Sequence, residues 1–307
     1  MRLSDLSWTS VYVGAGLGTG SIPLRVGKTG RGGPVGLLVA GVHGDEAPWA
    51  LLALRILLKS VSPDEVSGTL RIVPSANPLA VQVGQRANQL DGLDLNSSFP
   101  GDASGTHTQR LAKAIADAAL DGADFVLDVH GGGSWNINCF AYQLKGSEEL
   151  ASWLGTRIVA DAPGRSSSLT GYAAARGARA VWIESGGRGM YELARAEDLA
   201  EGLRQALGRA GVLTPAAGAR PAPTRARLWD AVSTSTSGIF VPALTEAALG
   251  STVTQGTLIG ELIDSSTSRV IEEYRAPFAP TTLALIRPTV AVIDSPGKVI
   301  AAVAGTA

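Results

Sequence analysis

Two histidines in this 307-residue chain sit in contexts that would let them share one ion. His43 and Glu46 lie three positions apart in Gly41-Val-His-Gly-Asp-Glu, where an apolar run hands over to a helical pattern. Val35-Gly-Leu-Leu-Val-Ala reads as a buried strand, and Pro48 suits a first helical turn, where its missing N–H costs nothing. His43 is then just past a strand's carboxyl end and Glu46 at a helix N-terminus, the edge of an open α/β sheet where ligands bind. Alone, the pair also reads as a capped helix start: Asp45 as cap, Glu46 complementing the helix dipole, His43 a polar loop residue.

A third group changes the balance. His130, in Asp124-Phe-Val-Leu-Asp-Val-His-Gly-Gly-Gly, again ends a buried strand. Two histidines and a glutamate with one open position form the ligand class of hydrolytic zinc. Asp128 either orients a ligating imidazole or serves other contacts of its strand. Glu184, in Trp182-Ile-Glu-Ser-Gly-Gly, ends another strand. A carboxylate there can take a proton from a metal-held water and deliver it to a leaving nitrogen, or can be a plain salt-bridge partner. His107, the last of three histidines, precedes a helix in a polar loop and reads as solvated. Cys139 is the sole cysteine, which excludes a disulfide framework and a multi-thiolate zinc site.

The stretch GQRANQLDGLDLNSSFPG, residues 84–101, is a polar loop too long for a mere connector. Within it Arg86 could stabilise an oxyanion and Asn96 could bind a polar group of a substrate.

The elements that must position these residues alternate up to about Leu213. Strands are expected at Val35–Ala40, Leu70–Pro74, Phe125–Val129, Ile137–Tyr142 and Ala180–Ile183, and helices at Ala47–Ser60, Thr108–Leu120, Ser147–Ala160 and Ala194–Ala210. That alternation predicts an α/β layer structure around a largely parallel sheet. Gly14-Ala-Gly-Leu-Gly-Thr-Gly reads as a turn before a proline-bearing strand, Ser21-Ile-Pro-Leu-Arg-Val, and not as a phosphate loop. A Pro/Ala-rich linker, residues 214–224, separates an expected catalytic domain, residues 1–213, from an all-β C-terminal domain, residues 225–307. The C-terminal texture resembles the barrel-sandwich hybrid of biotinyl and lipoyl carriers. Its one lysine, Lys298, lies outside the tip-like Ala276-Pro-Phe-Ala-Pro, which argues against a carrier role.

A net charge of −1, without any long Lys/Arg run, gives no electrostatic reason for nucleic acid or anionic membrane as a partner. With no apolar leader and no membrane-length apolar run, the expected location is cytoplasmic, with a small molecule as partner and a homo-oligomer left open.

In the order GVHGDE, R…DGLDLN–xxFPG, DVHGG and IESGG, the motifs resemble the succinylglutamate desuccinylase/aspartoacylase family, relatives of the zinc carboxypeptidases. The resemblance implies a three-layer zinc-carboxypeptidase-like fold with a mixed, largely parallel sheet and a small C-terminal β domain. It implies one zinc ion per subunit on His43, Glu46 and His130. It implies Glu184 as general base and acid, Arg86 as the group polarising the scissile carbonyl, and Asn96 as a holder of a substrate carboxylate. Where the family usually has arginine after that asparagine, this chain has Ser97. A bidentate clamp is replaced by one hydroxyl, a loss of roughly 1.5–3 kcal/mol, or about ten- to a hundredfold in binding. The expected activity is therefore deacylation of an N-acyl amino acid or related small amide, weak on N-acetylaspartate and succinylglutamate. The alternatives are a carboxypeptidase acting on short peptides and a non-catalytic zinc-containing binding protein.

Overall fold

The computed structural model describes residues 5–15, 20–163, 165–187, 193–218 and 220–305. The N-terminal strands are β1 (Ser7–Gly14), β2 (Ser21–Gly30) and β3 (Val35–Ala40), followed by α1 (Ala47–Ser60), β4 (Thr69–Val73) and α2 (Pro78–Val83). Next come α3 (His107–Ile115), β5 (Phe125–His130), β6 (Ile137–Gln143), α4 (Glu148–Trp153) and β7 (Ile158–Asp161). The region closes with α5 (Leu169–Ala175), β8 (Arg179–Gly187) and α6 (Leu193–Arg209).

Strands β4, β3, β5 and β8 lie side by side and parallel; β1, β2 and β6 extend the sheet antiparallel, and β7 runs parallel to β6. Strands covered on both faces read as unbroken apolar runs. Val-Gly-Leu-Leu-Val-Ala and Phe-Val-Leu-Asp-Val-His do so, and every residue of β5 is buried. Because side chains alternate along a strand, Leu38, Leu127 and Val181 face α1 and α6, while Leu37, Val39, Val126 and Ala180 face the α3 and α5 side. Asp128 and His130 belong to the second face. They are where its apolar pattern gives way to polar groups, at the sheet's carboxyl edge.

Four expectations about the elements need correction. Glu184 does not end its strand: β8 continues to Gly187 because β6 pairs with it as far as that residue. The helix expected over Ser147–Ala160 stops at α4, because Gly155 adopts a left-handed φ of +70° and Ile158–Asp161 pairs with β6 instead. The helix over Thr108–Leu120 begins at His107 and widens after Ile115 into a π-turn. Asp45 does not cap α1, whose N-cap position is Glu46 with no side-chain capping bond. The turn expected at residues 14–20 falls partly outside the described residues, though β1 and β2 flank it as an antiparallel pair.

The C-terminal strands are β9 (Thr224–Arg225), β10 (Leu228–Ser233), β11 (Gly238–Pro242), β12 (Thr252–Val253), β13 (Leu258–Ile263), β14 (Val270–Arg275), β15 (Thr281–Ile286), β16 (Ala291–Ile293) and β17 (Val299–Gly305). A four-stranded antiparallel sheet, β14-β13-β11-β16, packs Phe240 and Leu262 against Leu283, Ile300 and Val303 of β15 and β17. β15 also pairs with β6, so the C-terminal domain is hydrogen-bonded to the main sheet beside the site. Among the described residues no helix is long and apolar enough to cross a membrane.

Candidate active site

The carboxyl edge of the sheet gathers the residues singled out above. After β3 the chain folds tightly over α2: a Cβ on Gly44 would lie 1.9 Å from the Ala80 carbonyl oxygen, so only glycine permits this approach. That turn puts both His43 and Glu46 into the interior, with 1% and 7% exposure. β5 and β8 are paired with His130 opposite Glu184, so these two side chains emerge on one face of neighbouring strands.

Three side chains converge. His43 Nδ1 lies 2.9 Å from Glu46 Oε1, His130 Nδ1 lies 2.9 Å from Glu46 Oε2, and the two Nδ1 atoms are 3.2 Å apart. Each imidazole is held from behind by a carboxylate, His130 Nε2 by Asp128 Oδ2 at 2.9 Å and His43 Nε2 by Asp94 Oδ1 at 3.1 Å. A carboxylate only accepts, so the neutral form that binds a metal carries its N–H on Nε2 and turns the Nδ1 lone pair inward, whereas the protonated form also donates from Nδ1 to Glu46. Two lone pairs and a carboxylate facing one another repel unless a cation or shared protons lie between them. Ligands about 2.0 Å from a tetrahedral ion stand about 3.3 Å apart, close to the separations seen. The donor set therefore fits a metal ion.

Electrostatics follow from this crowding. Burial alone would raise the Glu46 carboxyl, but His43 and His130 hold it well below the usual range. Burial opposes charge on both imidazoles. Glu46 and Asp94 overcome it for His43, and Asp128 and Glu46 for His130, so both titrate above the ordinary value. Glu184 is pushed up to about 8, first by burial and then by the charge of Glu46. Its Oε2 accepts a hydrogen bond from Asn138 Nδ2. Arg86, half exposed, donates to Glu46 Oε1 at 3.2 Å and to Asp94 Oδ2 at 3.0 Å, which leaves it further N–H groups at the rim.

Residues 33–209 match the catalytic domain of succinylglutamate desuccinylase/aspartoacylase, a span that holds every one of these groups. The chain belongs to this family. A curated relative, the N-alpha-acetyl-L-2,4-diaminobutyric acid deacetylase of Halomonas elongata, is 40% identical over 112 residues, 36% of this chain and 32% of the relative. The match thus spans about a third of that relative's length. Among solved structures, a succinylglutamate desuccinylase from Silicibacter sp. TM1040 superposes with a TM-score of 0.83 at 24% identity, covering 98% of this chain and 95% of that one. The product-bound ectoine utilization protein EutE (DoeB) of Ruegeria pomeroyi gives 0.83 at 23% identity, covering 100% and 98%. These two show the shared fold, including the C-terminal β domain.

Asn96 is buried, and its Oδ1 accepts the N–H of Leu169 at 3.0 Å, tying the long loop to the start of α5. Ser97 is exposed in a groove of about 480 Å³ whose lining includes Asp94 and Asp102 and no basic residue. Arg176 does not restore the missing charge, because it pairs with Asp121 at 3.2 Å, at the sheet edge opposite the site. Arg165 is near enough to Tyr142 for its charge to act on that phenol, beside Glu184. Arg188 lies outside the described residues. His107 is a correction: it is 3% exposed, not solvated, and its Nδ1 meets the Gly14 carbonyl at 2.8 Å. Burial raises the Cys139 thiol to about 11, which leaves it inert. Sequence reasoning missed Asp94, Asn138 and Trp182, whose ring centroid is 5.2 Å from that of His130. Asp94 alone had a local signal, as the acidic residue of Asp94-Leu-Asn within the long loop.

Two outcomes follow from this geometry. Asp128→Ala leaves His130 without its rear partner and is expected to weaken metal affinity about ten- to a hundredfold, read by competition with a chromogenic chelator. Without metal, the protein is expected to lose stability as pH rises from about 6 to about 8.5. Glu184 keeps its proton in the fold up to about 8 but loses it near 4.5 when unfolded, so the unfolded state binds fewer protons across that window. The raised histidines act in the same direction: their contribution is complete below 6.5 and fades as pH passes their folded values. Glu46 is depressed, so its contribution is lost only as pH falls below 4.5. Calorimetry in chelator should show Tm falling between these pH values; a flat or rising Tm contradicts the assignment.

Proposed function

We propose that this chain is a zinc-dependent amidohydrolase that cleaves the amide of an N-acyl amino acid or related small amide. The observation that carries it is the convergence of His43 Nδ1, His130 Nδ1 and the Glu46 carboxylate within 2.9 to 3.2 Å, with Glu184 on the strand next to His130. Two nitrogens and a carboxylate suit zinc among the common divalent ions. When bound, zinc supplies Lewis acidity that polarises a carbonyl and makes a water acidic near neutral pH.

The chain's own residues do the remaining work. Glu184, with a pKa raised to about 8, can take a proton from the attacking water and return it to nitrogen near neutral pH. The water's oxygen bonds to the carbonyl carbon, the C–N bond breaks, and the proton held by Glu184 leaves with the amine. Arg86, at the rim with spare N–H donors, stabilises the carbonyl oxygen as it gains charge. Ser97 is the proposed contact for the rest of the substrate, and Asn96, buried and bonded to the Leu169 N–H, holds the loop that carries it. An exposed serine in a groove without basic lining makes a poor carboxylate anchor, so N-acetylaspartate and succinylglutamate are expected to be weak substrates. The acetyl group named for the Halomonas relative makes N-acetyl compounds the first to try. The cytoplasm is the proposed location, and neither nucleic acid nor membrane is a proposed partner.

The test is metal analysis followed by a panel of N-acyl amino acids and short peptides. Hydrolysis of N-acyl compounds with about one zinc per chain supports the reading. Cleavage of peptides alone would make the protein a carboxypeptidase, and zinc without turnover of any compound would make it a binding protein.

A further inference from the structure

Asn138 is buried on β6, with 2% exposure, beside the general base. β6 runs antiparallel to β8 with Phe140 opposite Glu184 and Asn138 opposite Gly186, while on its other side Asn138 pairs with Leu285 of β15. The C-terminal domain thus grips this strand where it carries Asn138, and Arg287 adds a 3.2 Å bond to Asn136. The two polar atoms of Asn138 fare differently. Its Nδ2 donates to Glu184 Oε2, whereas its Oδ1 is buried and has no partner among the described residues. A buried carbonyl left unpaired costs free energy, and such orphans cluster where a ligand completes the set. Both atoms belong to one planar amide, so the free oxygen lies next to the carboxylate that must meet the leaving nitrogen.

We infer that Asn138 positions Glu184 and selects substrates whose scissile bond carries an N–H, which donates to Asn138 Oδ1. This rests on the deacylase reading above. The bond to Oε2 fixes the carboxyl and leaves Oε1 for proton transfer. An N–H held by Asn138 turns the nitrogen lone pair, formed as the carbonyl carbon becomes tetrahedral, towards Glu184. The proton from water then passes to that lone pair as the C–N bond breaks, so nothing beyond water and the amide is consumed. A secondary amide satisfies the orphan oxygen; an ester or a tertiary amide, which has no N–H, leaves it unpaired.

The test compares the metal-loaded wild type with Asn138→Ala and Asn138→Asp on an N-acetyl amino acid and on the O-acetyl ester of the matching hydroxy acid. In Asn138→Ala, kcat/KM on the amide should fall about ten- to a hundredfold, and the amide-to-ester ratio about tenfold, because the ester never used Oδ1. Asn138→Asp keeps an acceptor and loses the donor, so both rates should fall while the ratio holds. Equal losses on amide and ester in Asn138→Ala, with Tm and zinc content unchanged, overturn the inference and leave a structural role. If Asn138→Ala does not fold, Asn138→Asp decides: a ratio that drops although the acceptor is present overturns it. A wild type that hydrolyses neither compound overturns the deacylase reading itself, and this inference with it.

Discussion

Glu184→Gln is expected to lower kcat on the best N-acyl substrate by about a hundred- to ten-thousandfold, with zinc content unchanged. The substitution keeps the volume and polarity of the buried side chain but removes the carboxyl, on the strand next to His130, that is proposed to take and give the proton. Glu184 is not itself within bonding distance of those ligands among the contacts described; it acts on them through its charge. The variant therefore separates proton transfer from metal retention. It also removes a buried carboxyl that burial penalises, so the variant should be as stable as wild type or more stable at alkaline pH. A variant with reduced zinc would show that Glu184 holds the metal set together. One with near wild-type kcat would mean that another base serves, and the assignment of Glu184 would fail.

The pH profile supplies a second reading of the same group. A base whose pKa is raised by burial and by Glu46 gains its active, deprotonated form as pH rises, so kcat/KM should climb across neutral pH. Bound zinc adds positive charge near Glu184 and lowers that value below the one set by the protein alone. The acid limb should accordingly lie below about 8 in the loaded enzyme, and it should vanish in Glu184→Gln.

How much of this was legible in the sequence depends on how local each signal is. β3 and α1 begin and end at the residues expected, Val35–Ala40 and Ala47–Ser60, because an unbroken apolar run and a proline in the first turn are local features. His43, Glu46, His130 and Glu184 could be named because each follows an apolar run and lies within two residues of a glycine or at the start of a helix. What no local pattern contains is that β5 pairs with β8 with His130 opposite Glu184, or that β15 pairs with β6 at Asn138. Those registers are set by packing between segments far apart in the chain. Hence Asn138, an ordinary strand residue by pattern, was invisible as a neighbour of Glu184. His107 misled for a related reason: the polar loop before α3 is local, but β1, which buries it and offers the Gly14 carbonyl, is some ninety residues away. At Gly155, helix propensity in Glu148–Trp153 was read through a residue whose left-handed backbone ends the helix.

The second large effect concerns the metal set. Stripping zinc with a chelator, or replacing His43 with Ala, is expected to remove all measurable turnover, and re-addition of zinc should restore the stripped wild type but not the variant. His43 is chosen over His130 because the groups left behind differ. Asp128 is fully buried behind His130, and a carboxylate abandoned there costs about 3–5 kcal/mol, enough to confuse unfolding with metal loss. Asp94, behind His43, is 28% exposed and keeps its pair with Arg86 at 3.0 Å, so its charge remains compensated. Zinc bound only by the folded state should also raise Tm by mass action, about 4 kcal/mol of added stability at a free concentration a thousand times Kd. That gain should grow with pH, since zinc needs both imidazoles neutral and both are held above their ordinary pKa in its absence. Calorimetry at pH 6 and pH 8 with buffered zinc reads this directly. A zinc-induced rise in Tm that is equal at both values, or that persists in His43→Ala, would place the ion elsewhere than between His43, Glu46 and His130.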